Sequence, residues 1–157
     1  YPGLMPQVYR IAKTQYGRDL SGTGAYLYGG RWNEPGTHML YAADSVALAT
    51  LESLAHLTRN ITAKKFVLVT LQLPDQTYPS VEDYMHLPPD WTAPPPYSEV
   101  TLSVSKASWY AHHLALRAPS VVTRKDENYL INPQHSLMSE VRVMEVEPYD
   151  FDKRLLY

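Results

Sequence analysis

A chain of 157 residues with a hydrophobic fraction of 45% can bury one real core, so a single domain is expected. Its net charge of −2 and pI near 6.3 exclude a general electrostatic pull on nucleic acid or a membrane surface, so any anion site must be local. The absence of cysteine excludes disulfides, thiolate catalysis and cysteine-based zinc sites, and fits a reducing cytoplasm.

No apolar run approaches the roughly 20 residues of a membrane span. The start, Tyr1-Pro2-Gly3, lacks the basic and apolar regions of a signal peptide. Gln7 to Ala12 reads as a first strand, with Val8, Arg10 and Ala12 on one face and Tyr9 and Ile11 on the other. A guanidinium among apolar neighbours must be paired, either with a carboxylate at the edge of the core or with a ligand phosphate. Tyr16 to Tyr28, rich in glycine and tyrosine, reads as loops plus a short strand.

Gly29 and Gly30 allow a sharp corner, which aims Arg31 outward. Its planar fork suits a diphosphate or a carboxylate better than a lysine would, although a surface turn with a charged tip is the plainer account. His38 to Ala42 reads as a short strand. Asp44 follows as the N-cap of a helix starting near Ser45, with Ala47, Leu48, Leu51, Leu54 and Ala55 as its buried stripe. Glu52 falls at the edge of that stripe, where a carboxylate needs a partner; His56 at i+4 is one.

Phe66 to Leu73 is the clearest strand, apolar enough to be buried on both faces, after an exposed Lys64-Lys65. From Pro74 to Ser98 the prolines at 88, 89 and 94–96 prevent regular structure, and the segment reads as a lid-like or partner-facing excursion. Ser103 to Leu116 is ambiguous between helix and irregular chain, with Trp109, Leu114 and Leu116 packing inward. His112 and His113 point about 100° apart on a helix and make a poor chelating pair, so no metal site is expected. Ser120 to Thr123 reads as a short strand, Asn128 to His135 as a polar turn, and Glu140 to Val146 as a closing strand. Mixed strands with few helices point to an α+β fold.

Several blocks occur together in order: Tyr-Arg-Ile at 9–11, Gly-Gly-Arg-Trp-Asn at 29–33, Leu-Tyr-Ala-Ala-Asp-Ser at 40–45, Leu-Ala-Thr-Leu-Glu at 48–52 and Asn-Tyr-Leu-Ile-Asn-Pro-Gln-His at 128–135, with Ala-Pro-Ser at 118–120 and Phe-Asp-Lys-Arg-Leu at 151–155. Over nearly the whole chain this order resembles the RES-domain family, bacterial toxins paired with Xre-type antitoxins. The resemblance implies one RES domain over 1–157; the proline-rich 86–97 segment departs from the family pattern and reads as a loop insertion. It implies an ADP-ribosyltransferase-like fold, in which two small mixed or antiparallel sheets with peripheral helices flank a cleft for NAD+.

It further implies a substrate, NAD+, and no metal. Arg31 is then the first diphosphate ligand and Arg10 the second, Tyr41 stacks on nicotinamide, and Glu52 stabilises the positive charge developing on ribose. Ser120 would touch ribose, orient Glu52 or simply hold structure; no base accompanies it as a nucleophile. Asn132 would line the cleft, with a self-stabilising Asn-Pro turn as the simpler account, and the same choice holds for His135. Tyr28, Trp32 and Tyr129 read as packing aromatics, unless one flanks the adenine.

The expected activity is cleavage of the nicotinamide–ribose bond, by hydrolysis or phosphorolysis, draining cellular NAD+. Mono-ADP-ribosylation of a protein is the alternative within the class. A non-enzymatic module docking through the Pro-Tyr-rich 88–97 segment is the alternative outside it. A cognate antitoxin, of Xre type, would cover the cleft. The expected place of action is the cytoplasm, reached from within or by delivery as a secreted effector domain. Acceptor and oligomeric state stay open.

Overall fold

The structure is a computed structural model that describes residues 5–56 and 64–156; Tyr1-Pro2-Gly3 lies outside them. Among the described residues there are six strands: β1 (Gln7–Lys13), β2 (Leu40–Ala43), β3 (Phe66–Gln72), β4 (Ala115–Pro119), β5 (Glu127–Ile131) and β6 (Arg142–Tyr149). They form one sheet in the order β4-β5-β2-β1-β3-β6, and every neighbouring pair is antiparallel. Four short helices among the described residues complete the α+β fold: α1 (Thr23–Tyr28), α2 (Val46–His56), α3 (Glu99–Ser103) and α4 (Trp109–His112).

The expectation of two separate sheets is corrected by a single backbone register. β1 pairs with β3 along its whole length, from Gln7↔Gln72 to Lys13↔Phe66, and β2 pairs along its whole length with β5. Between β1 and β2 the register contains the pair Tyr9↔Ala43 alone. One pair is enough to make the sheet continuous. It leaves two three-stranded halves that part beyond the junction, so the inner edges of β1 and β2 face a gap.

The two faces carry different cores because strand side chains alternate. Val8, Val69, Leu71, Ala115 and Ile131 belong to one cluster. Leu116, Ala118 and Leu130 join Trp32, Met39, Val104 and Trp109 in the other. The near-continuous apolar run of β3 is buried on both sides, as its composition predicts. Trp109, Leu114 and Leu116 are fully buried, and the Trp109 indole donates to the Val104 carbonyl at 2.6 Å.

Several local expectations change. Residues 14–28 contain no strand; a 3-10 turn at Thr14–Tyr16 and α1 stand there, because Gly22 at φ 70 turns the chain into a helix. The helix N-cap is Ser45, whose hydroxyl accepts from Leu48 N–H at 3.0 Å, while the Asp44 carboxylate accepts from Glu127 N–H. On α2 the buried residues are Leu48, Ala49 and Thr50, whereas Leu51 is 40% exposed and Ala47 and Ala55 are exposed. Leu48 and Ala49 meet Ala43 of β2 and Tyr9 and Ile11 of β1, while Thr50 bonds the Tyr149 hydroxyl of β6, so the buried face is rotated from the stripe that hydrophobicity alone selects. Residues 120–123 form a turn after β4, and Glu127–Ile131 is a strand in the place of the expected polar turn.

Candidate active site

The gap beyond Tyr9↔Ala43 opens into a cavity of about 880 Å³. Its walls include Arg10 of β1, Gly30 to Trp32, Tyr41 of β2, Ala49, Glu52, Ser53 and His56 of α2, and Asn128 of β5. Four of the six site residues expected from sequence, Arg10, Arg31, Tyr41 and Glu52, thus line one cavity.

The turn at 29–33 is built on close approach. Gly29 adopts φ 72 and ends α1 by donating its N–H to the Ala25 carbonyl at 2.8 Å. Gly30 lies against the Tyr41 ring, and a Cβ there would stand 2.8 Å from the Tyr41 hydroxyl oxygen. Asn33, fully buried, donates Nδ2 to the carbonyls of Ala25, Glu34 and Thr37 and accepts the Tyr41 hydroxyl on Oδ1. The Tyr41 oxygen in turn accepts from Trp32 N–H at 3.3 Å. Burial pushes the Tyr41 phenol well above its ordinary value, so it stays a donor and pins the turn from below.

Arg31 leaves that turn and is held from behind. Its Nη1 donates to the carbonyls of Trp91 at 3.0 Å and Ala93 at 2.7 Å, and the Tyr97 ring lies 4.6 Å from the guanidinium carbon. Burial lowers its pKa, and the neighbouring Tyr97, Glu52 and Tyr41 act in the opposite direction. The proline-rich segment therefore grips the back of Arg31. Among the described residues, none of 86–97 lines the cavity, so the segment is a clamp behind the site rather than a cover over it.

Glu52 is fixed at one oxygen. Oε1 accepts from the Ser120 hydroxyl at 2.6 Å and from Asn128 Nδ2 at 2.8 Å, while Oε2 lies 4.0 Å from His56 Nε2. Ser120 is itself fully buried, and its oxygen accepts from the N–H groups of Val122 and Thr123 at 3.1 and 3.2 Å. With its one proton committed to Glu52 and its oxygen to the turn, Ser120 has the contacts of an orienting group, not of a nucleophile.

Arg10 sits on the face of β1 shared with Val8 and Ala12, opposite Tyr9 and Ile11, which pack on α2. It also lines the cavity. Its Nη1 makes long bonds of 3.4 Å to the carbonyls of Gly17 and Asp19, and burial lowers its pKa, with the Asp19 charge opposing.

Asn132 does not line the cavity. Its amide donates to the Tyr110 carbonyl at 2.6 Å and accepts from Gln134 N–H, so it holds the turn after β5. His135 caps the next turn by accepting from Leu137 N–H. Trp32 is buried near Trp91 and Tyr129 packs edge-on to Tyr78, while Tyr28 stands 84% exposed at the cavity mouth. Sequence reasoning gave no role to Asn33 or Asn128. The available signal for Asn128 was a strand-averse residue two positions before Leu130, on the face turned toward α2.

An α+β chain whose split sheet gathers an arginine, a tyrosine and a two-donor glutamate defines the architectural class. The RES domain family matches residues 7–152, and the chain belongs to that family. It is 36% identical over 150 residues to a "Prs ADP-ribosylating toxin" of Sphingobium sp. (strain YBL2), covering 92% of this chain and 91% of that protein. It is 33% identical over 156 residues to a "Toxin Res" of Photorhabdus laumondii, covering 95% and 96% respectively. Among solved structures, the crystal structure of the M. tuberculosis MbcT-MbcA toxin–antitoxin complex contains a chain of similar fold, with TM-score 0.75 and 19% identity over 94% of this chain and 85% of that one.

Proposed function

We propose that this chain is an ADP-ribosyltransferase-like bacterial toxin that cleaves the nicotinamide–ribose bond of NAD+ and drains the cofactor. One observation carries the reading: Glu52, locked at Oε1 by Ser120 and Asn128, shares a cavity with Arg31 and Tyr41. The names of the relatives and the likeness to a chain of a toxin–antitoxin complex support it.

Arg31, clamped from behind, offers the rest of its fork to the diphosphate, and Arg10 supplies a second cation from the far side of the gap. The Tyr41 ring forms the wall against which nicotinamide packs. The C–N bond then breaks with its electron pair leaving on the nicotinamide nitrogen, which departs neutral. Positive charge grows on the ribose ring, where the Glu52 carboxylate is placed to stabilise it. An acceptor oxygen bonds to the anomeric carbon and its proton passes to solvent. Water as acceptor gives ADP-ribose, and phosphate gives ADP-ribose 1″-phosphate.

Ser120 acts through Glu52, and Asn132 remains outside the machinery. A cognate antitoxin, of Xre type, covers the cavity, and the site of action is the cytoplasm. The test is incubation of the pure protein with NAD+, with and without inorganic phosphate, and identification of products by mass. Loss of NAD+ that falls by about 100-fold or more in folded Glu52→Ala supports the reading. Full turnover in that variant, or no turnover in the unaltered chain, sinks it. Transfer of ADP-ribose to a protein is the second reading, favoured by the name of the Sphingobium relative. It is recognised by label appearing on a macromolecule.

A further inference from the structure

We infer that Asn128 is a positioning residue for Glu52, selecting which carboxylate oxygen faces the cavity; the inference rests on the reading of Glu52 given above. A carboxylate held at one oxygen by one donor still swings about that contact. Two donors arriving from different elements fix its plane. Here they are Ser120, in the turn after β4, and Asn128 within β5, at 2.6 and 2.8 Å from the same Oε1. Oε2 receives neither and is the oxygen left for a sugar.

The surroundings of Asn128 suit that task. Its cross-strand partners are Ala43 on β2 and Ala118 on β4, both no larger than a methyl, which lets α2 come close enough for the amide to reach Glu52. Glu127, its neighbour on β5, is turned instead to Arg117, which donates to both of its oxygens at 3.0 Å. The remaining groups that face Glu52 are His56 on α2 at 4.0 Å, the Arg31 charge from the turn, and the Ser120 hydroxyl. The two donors to Oε1, Asn128 and Ser120, are neutral and are not titrated away, unlike His56. An aspartate of nearly the same shape would accept only, and would set a like charge against Oε1.

The experiment compares the unaltered chain with Asn128→Ala and Asn128→Asp, using NAD+ turnover and NMR of the Asn128 side-chain amide, assigned by its loss in Asn128→Ala. In Asn128→Ala, kcat is expected to fall about tenfold or more with KM unchanged within about threefold, the mark of a contact that matters in the transition state. In Asn128→Asp, which donates nothing and sets a like charge beside Oε1, kcat is expected to fall at least as far. In the unaltered protein, one Asn128 side-chain amide proton stands downfield of a free amide, as a donor to a carboxylate does, a measurement that needs no variant to fold. Native kcat in folded Asn128→Ala, a change in KM alone, native kcat in folded Asn128→Asp, or Asn128 amide protons at the position of a free amide would each overturn the assignment. The NMR arm reads the pair without NAD+, so a chain that consumes none fails the functional proposal while the pairing is still decided.

Discussion

The hydroxyl of Ser120 donates to Oε1 of Glu52 at 2.6 Å across 68 residues of sequence, tying the end of β4 to the middle of α2. This bond makes Ser120→Ala an informative change. The variant removes one charge-assisted donor and leaves Asn128 in place, so kcat for NAD+ should fall about tenfold to a hundredfold. A serine nucleophile would cost about a millionfold. Single-turnover rates separate the two, and a millionfold loss in a folded variant contradicts the orienting role.

Gly30 and Gly24 make a matched pair. A Cβ at Gly30 would meet the Tyr41 oxygen at 2.8 Å and Asn33 Oδ1 at 3.2 Å, whereas one at Gly24 meets nothing within 4 Å. Gly30→Ala should lose about 1–3 kcal/mol in urea unfolding, together with activity, because the turn carrying Arg31 must shift. Gly24→Ala, inside α1, should gain up to about 1 kcal/mol. Equal stabilities for the two variants would contradict the packing described for the turn.

Tyr97 faces the Arg31 guanidinium with its ring, so the ring and not the hydroxyl should matter. Tyr97→Phe is expected to keep NAD+ turnover intact. Tyr97→Ala should raise KM about two- to fivefold, in line with a contact worth about 0.5–1 kcal/mol, while kcat changes little because a diphosphate ligand holds ground and transition states alike. Identical KM in all three proteins would remove Tyr97 from the clamp.

The buried Tyr41 phenol predicts an alkaline limit to stability. Its pKa is raised above the ordinary 10.0 by burial, so the folded chain keeps a proton that the unfolded chain releases. Its contribution is therefore fully present below pH 10 and is lost as pH rises beyond it. Tyr78, Tyr110 and Tyr129 are raised by burial as well and add to the slope. Urea midpoints from pH 8 upward should fall above about pH 10. Tyr41→Phe, less stable at neutral pH, should fall less steeply; an unchanged slope would show that Tyr41 ionises as freely as a surface phenol.

Much of the architecture was legible where periodicity and burial agree. β1 and β3 fall within a residue of their expected ends because each alternates or saturates in apolar residues over its length. Arg31, Tyr41 and Glu52 were legible as a group because the family blocks lie close together in sequence, and the split between β1 and β2 brings their side chains to one hollow. The face of α2 was not. Hydrophobicity selects Leu48 and Leu51 alike, but Leu48 and Ala49 meet the sheet while Leu51 is exposed, because the helix must also deliver Glu52 and His56 to the cavity. The partners of Glu52 were illegible for a different reason. They come from 68 and 76 residues away, and only the strand order brings them alongside.

Strand order also dictates when the Glu52 carboxylate acquires its two partners. Both halves of the sheet are finished by strands from the last third of the polypeptide, β5 in one and β6 in the other. During translation Glu52 emerges long before Ser120 and Asn128, and until those two leave the ribosome its Oε1 lacks both of the donors that fix it. On the function proposed above, the producing cell is shielded from a half-made poison by the geometry of assembly itself. Any inhibitor protein then has to arrive only once the chain is nearly complete.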